Sequence, residues 1–143
     1  MISPDDWRPI DGLALEPNAF KAVTASKNMV VSAGPGAGKT ELLAQRADFL
    51  FRTGHCLYPQ KILSISFKRD SARNLSKRIR KRSGDQYAER FDSMTFDAFA
   101  KMIVDNYRVA LSDEYQLNED YEIDTDVKDY DFHHDRTNFN QLI

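Results

Sequence analysis

Residues 33–40 read AGPGAGKT, and no other stretch narrows so far what this 143-residue chain can become. Gly34, Gly36 and Gly38 stand at fixed offsets ahead of Lys39 and the hydroxyl of Thr40. An apolar run, Met29-Val30-Val31-Ser32, precedes the octapeptide. Behind it Leu43, Ala47, Leu50 and Phe51 fall on one face of a helical period. Strand, glycine loop and helix in that order predict a phosphate-binding loop. The chemistry asks for these residue types. Residues without a Cβ let the backbone curl and turn its N–H groups onto phosphate oxygens. The helix start adds unpaired donors and a positive dipole end. Lys39 brings a full positive charge to the β- and γ-phosphates, and Thr40 offers the hard oxygen that Mg²⁺ prefers. The expected cradle is therefore Ala33, Gly34, Pro35, Gly36, Ala37, Gly38, Lys39 and Thr40. Lys39 and Thr40 are its catalytic members, and Thr40 is the metal contact through a bound nucleotide. Ala33 stands where a glycine is common, and Pro35 has no N–H to give. The glycines nearest the lysine remain.

Two further strand-to-helix units follow the first. Residues 29–33 lead into a helix over 39–51, residues 62–67 into a helix over 70–82, and residues 93–96 into a helix over 97–110. Asp97 is the expected cap of the last helix, with Phe99, Met102, Ile103, Tyr107 and Ala110 on its apolar face. Strands alternating with amphipathic helices predict an α/β layer with a mainly parallel sheet. Ligands of such sheets sit at the carboxyl ends of the strands. The glycine loop, residues 67–70 and residues 95–97 should then share one edge.

Charge is unevenly spread over a chain whose net charge is only −2. Between Lys68 and Arg82 eight basic residues face Asp70 alone, while Ala72, Leu75 and Ile79 make an apolar stripe. That pattern is a helix packed on a core with a cationic outer face, either a solvated surface or a contact for nucleic-acid phosphates. Between Ser112 and Asp135 ten acidic residues face Lys128 alone. Cys56 is the single cysteine, so neither a disulfide framework nor a cysteine metal cluster is available. No run approaches the roughly 20 apolar residues of a membrane span. The opening MISPDDWRPIDG is acidic and broken by prolines, unlike a secretory signal, so a cytoplasmic protein is expected.

Three blocks, VVSAGPGAGKTELLAQRADFL, KILSISFKRDSARNLSKRI and DSMTFDAFAKMI, resemble in order and spacing motifs I, Ia and Ib of the UvrD-like helicases of superfamily 1. The resemblance spans roughly residues 13–107. It implies an incomplete RecA-like P-loop domain that binds ATP and Mg²⁺. The implied activity is ATP-driven translocation along single-stranded DNA, 3′ to 5′, with ATP hydrolysis. Carried over by position, Ser66, Phe67, Lys68 and Arg69 fall in one DNA-contacting motif, and Thr95 and Phe96 in the next. Phenylalanine at a strand end can stack on an unpaired base, and Lys68 and Arg69 can pair with phosphates. The plain alternative for both phenylalanines is burial in the core.

The sequence departs from the family pattern in places. Ala19, beside Asn18, stands where a glutamine reads adenine. Lys68 and Arg69 replace small polar residues, and Asp97 replaces a histidine. The acidic Mg²⁺-holding motif and the arginine-bearing second motor domain have no good counterpart: Asp113-Glu114 opens a wet acidic segment, and Asp124 and Asp126 fit no better. His133 and His134 are adjacent and unsuited to a shared metal. The expected layout is an extension over residues 1–12, the ATP-binding portion over 13–111, and an acidic insertion or tail over 112–143. Remaining helicase domains or a second chain would complete it. The rival readings are a non-catalytic nucleotide- or DNA-binding module and a small P-loop kinase-type enzyme.

Overall fold

The computed structural model describes residues 1–117 and Tyr121. The chain divides into two compact units, Met1–Asp105 and Asn106–Ile143. The first unit holds α1 (Pro17–Thr24), α2 (Lys39–Arg52), β1 (Ile62–Ser66), α3 (Arg69–Ser83), the single-turn α4 (Asp85–Ala88), β2 (Phe91–Thr95) and the start of α5 (Phe96–Tyr107). In the second, the described residues form two short 3-10 turns, Arg108–Ala110 and Asp113–Tyr115. Asp124, Asp126, His133 and His134 lie outside the described residues.

Sheet and helices follow the α/β expectation. β1 and β2 run parallel, with Ile62 opposite Phe91 and Ser66 opposite Thr95. Their connection is α3 with α4, the crossover that two parallel strands require. α3 buries Ala72, Leu75 and Ile79, the stripe read from its period, and Gly84 ends it at a φ of 82°. Arg80, Lys81 and Arg82 fill its last turn, where the negative dipole end favours cations.

The strand expected over residues 29–33 is absent. Those residues are unpaired coil, and Val30 is 96% exposed. A strand exists only through hydrogen bonds to a neighbour. β1 and β2 satisfy each other, and among the described residues nothing pairs with 29–33. Two smaller corrections concern α5. Its cap is Thr95, whose Oγ1 accepts the Ala98 N–H at 3.2 Å, and Asp97 sits in the first turn instead. Its apolar stripe is not packed: Met102, Ile103 and Tyr107 are exposed, and none of its residues is buried.

The core has two parts. Ala44, Ala47, Phe51, Leu75, Ile79 and Phe91 join α2 and α3 to the sheet. Trp7, Val23 and Phe49 make the second, in which the N-terminal segment closes over α2. Trp7 is fully buried, and its ring meets Phe49 edge-on at 5.4 Å. Its indole N–H donates to Asp48 Oδ2 at 2.8 Å. Asp48 is itself buried, and it also accepts from Arg52 at 3.4 Å and from the Ser83 hydroxyl at 3.4 Å. A buried carboxylate is tolerable only with such partners. The Gln45 side chain, equally buried, accepts the Ile10 N–H at 3.0 Å, and the Ile2 N–H donates to the Arg52 carbonyl at 2.9 Å. Residues 1–12 are thus fastened along the length of α2.

Candidate functional site

The glycine loop takes its shape from its own residues and from α2. The Ala37 N–H donates to the Gly34 carbonyl at 3.3 Å, closing a tight turn. Gly36 and Gly38 have φ of 76° and 73°, a left-handed region costly for any residue with a Cβ. Gly38 is the N-cap of α2, and no side chain caps that helix, so its first-turn amides have no side-chain partner. Lys39 Nζ folds back over the loop and donates to the carbonyls of Ala33 at 2.8 Å and Gly34 at 2.7 Å. The ammonium is therefore already held at the mouth of a curl of backbone. The Thr40 hydroxyl has no protein partner among the described residues. No cluster of three or more metal-ligating side chains occurs among them either, so a metal here would be bound through phosphate oxygens and Thr40. The residues present fit a magnesium-bound polyphosphate.

Next to the loop lies a cavity of about 590 Å³. Ala33 and Ala37 of the loop line it together with Glu16, Asn18 and Ala19 of the α1 region, and Met29, Val30 and Val31 add an apolar wall. Asn18 and Ala19, which the sequence resemblance sets where a glutamine is usual, border the space beside the glycine loop.

The strand-end residues come together as a second group. Ser66 and Thr95 are opposite each other in register and each ends its strand, so the residues that follow them leave the sheet at the same edge. Those residues are Phe67, 94% exposed, and Phe96, 63% exposed. Neither is a core aromatic. Lys68 is the N-cap of α3 and Arg69 its first residue; both are exposed and without an ion-pair partner among the described residues. Thr95 differs from its neighbours: it is buried and its hydroxyl is occupied as the α5 cap.

One cluster was not legible as such in the sequence. Glu41, directly after Thr40, places Oε2 2.7 Å from Arg78 Nη1 and 2.9 Å from Arg82 Nη2. Its Oε1 accepts from Gln45 at 2.9 Å, and Arg82 Nη1 reaches Asp11 Oδ2 at 2.6 Å. Burial alone would raise the Glu41 carboxyl. The bonds from Gln45 and Arg78 and the charges of Arg82 and Arg78 outweigh it and hold the group below its ordinary value. The first turn of α2 is thereby tied to the second half of α3. The visible signal was Arg78 and Arg82 at helical spacing; their acidic partner lies 37 residues away from the nearer one. Further along α2, Arg46 donates to the Val23 carbonyl at 2.6 Å, and burial lowers its pKa.

The sequence profile of the UvrD/REP helicase N-terminal domain matches residues 15–143. The chain belongs to this family. DNA helicase IV of Escherichia coli (strain K12) is 34% identical over 101 residues, 70% of this chain and 14% of that protein. The protein of Mycoplasma pneumoniae (strain ATCC 29342 / M129 / Subtype 1) named "Probable DNA helicase II homolog" is 29% identical over 110 residues, 76% of this chain and 14% of its own length. The chain thus spans about one seventh of these helicase relatives. For a member of the UvrD/REP family, the parallel sheet flanked by helices is the incomplete α/β layer read from the sequence.

Proposed function

We propose that this chain is the N-terminal part of the first motor domain of an ATP-dependent DNA helicase, with residues 13–111 as its ATP-binding portion. The loop from Gly34 to Thr40 binds the phosphates of ATP. Lys39 exchanges the carbonyls of Ala33 and Gly34 for phosphate oxygens, which carry more negative charge and bind an ammonium more strongly. Bound Mg²⁺ would neutralise charge on the phosphates, and Thr40 would hold it from the protein side. Ser66, Phe67, Lys68, Arg69, Thr95 and Phe96 form part of a single-stranded DNA track. Phe67 and Phe96 offer stacking surfaces, Lys68 and Arg69 offer charge, and Thr95 acts by setting the start of α5. Movement along DNA is 3′ to 5′, the setting is cytoplasmic, and further helicase domains, in the same chain or in a second one, complete the motor.

The observation that carries this reading is the Lys39 ammonium held inside a loop whose two left-handed glycines open onto an uncapped helix start. On this reading the chain alone binds nucleotide with little or no turnover, as the placement of Asp113 and Glu114 supports. They lie exposed on a 3-10 turn and not at the end of a strand, so neither is set to orient an attacking water. Binding of a fluorescent ATP analogue to the full chain tests the reading: it requires magnesium-dependent binding that Lys39→Ala abolishes. Equal affinity in the variant contradicts the assigned role. Steady phosphate release by the unmodified chain would contradict the expected lack of turnover.

A further inference from the structure

A cationic cleft runs along α3, apart from the strand-end phenylalanines, and reaches the end of the glycine loop at Thr40. Asn74, Lys77, Arg78 and Lys81 follow one another at spacings that put them on one helical face. With Thr40 and Arg82 they wall a cleft of about 540 Å³, and among the described residues Asp11 is the only acid lining it. The cations in this cleft are of two kinds. Arg78 and Arg82 are fixed by Glu41 and Asp11 at 2.6–2.9 Å, and the Arg82 side chain is only 17% exposed. Lys77 and Lys81 have no ion-pair or hydrogen-bond partner among the described residues. Two carboxylates against four cations leave the lysines uncompensated. Among the described residues no aromatic side chain lines the cleft, so none of them would stack on a base or a nucleoside. From Asn74 to Lys81 the row rises about 10 Å along the helix, more than one phosphate group covers.

We propose that this cleft binds the phosphodiester backbone of a nucleic acid. Lys77 and Lys81 make the contact, and Glu41 and Asp11 position the arginines beside it. Recognition is by charge and spacing, without sequence readout. Because Glu41 directly follows Thr40, a backbone seated here lies against the first turn of the phosphate-loop helix. The proposal rests on the reading of the chain as part of a DNA-binding motor, and adds to it a contact surface distinct from Phe67, Lys68, Arg69 and Phe96.

The test uses the full chain and labelled oligonucleotides, single-stranded in one arm and duplex in the other, followed by anisotropy over a range of salt. Lys77→Ala/Lys81→Ala is compared with Lys27→Ala/Lys61→Ala, which removes the same charge elsewhere. The α3 double variant is expected to lose roughly tenfold in affinity at low salt, and its salt slope to fall by about 2, in the arm that holds the true ligand form. Its affinity for an ATP analogue stays unchanged, and the control pair moves the slope much less. An unaltered slope in the α3 variant, or an equal drop in the control, overturns the cleft while leaving the nucleotide-binding reading intact. No oligonucleotide binding by the parent chain overturns both the cleft and the DNA part of the proposed function. The ATP analogue then shows whether the nucleotide part survives.

Discussion

The two flanks of the glycine loop are held in opposite ways. On its carboxyl side, α2 buries Ala44, Ala47, Phe49 and Phe51 and is fastened to the N-terminal segment, α1 and α3 through Gln45, Asp48, Arg46 and Glu41. On its amino side, Met29, Val30 and Val31 are exposed coil with no strand to pair with. The loop nevertheless keeps its tight turn, its two left-handed glycines and its folded-back lysine. Shape at this site is thus a local property of the glycines and the helix start, whereas the preceding strand is a property of the sheet. A helix satisfies its hydrogen bonds within itself, and a strand cannot.

Substitutions on the two sides should separate these contributions. Trp7→Ala is expected to cost most, about 3–5 kcal/mol, since it empties the second core and strips the buried Asp48 of its shortest hydrogen bond. Chemical denaturation measures it. A loss under about 1 kcal/mol would mean that the N-terminal segment does not brace α2. Gly38→Ala follows at about 1–2 kcal/mol, the cost of a Cβ in the left-handed region. Nothing would crowd the new methyl, so a larger destabilisation would point to a loop more tightly built than its geometry indicates.

Acid should weaken the α2 to α3 tie. Glu41 has a folded value below its ordinary 4.5, so its contribution is complete above that value and disappears as the pH falls through the lower, folded one. Glu41→Gln should flatten the acid limb of a stability-against-pH curve. An unchanged limb would show that the ion pairs with Arg78 and Arg82 contribute nothing. The smallest effect is expected on the amino side. Val30→Thr should leave stability within about 0.5 kcal/mol, because a residue 96% exposed has little packing to lose. A marked loss there would break the contrast between the flanks.

Much of this arrangement could be read from local pattern. α3 begins one residue earlier and ends one residue later than its period indicates, and β1 covers the Ile62-Leu63-Ser64-Ile65-Ser66 run. β2 starts at Phe91, two residues ahead of the expected position. There Asp92 and Ser93 interrupt the apolar signal that the buried Phe91 would have supplied. Features that depend on distant partners stayed hidden. Trp7 meets Asp48 across 41 residues, and Glu41 meets Arg82 across 41 residues, and neither pairing leaves a mark in local composition. The strand over residues 29–33 failed for the same reason with the opposite sign: its apolar run is real, but a run of valines specifies a strand only where another strand stands beside it.

We propose that residues 34–40 form a preorganised polyphosphate cradle through the loop and α2 alone. The most direct check is a residue-resolved amide NMR titration of the full chain with Mg·ATP. The amides of Gly36, Ala37, Gly38, Lys39 and Thr40 are predicted to shift together and saturate, while those of Leu63 and Ile65 in β1 stay in place. Saturating nucleotide that leaves the Gly36 to Thr40 amides unmoved would contradict the account.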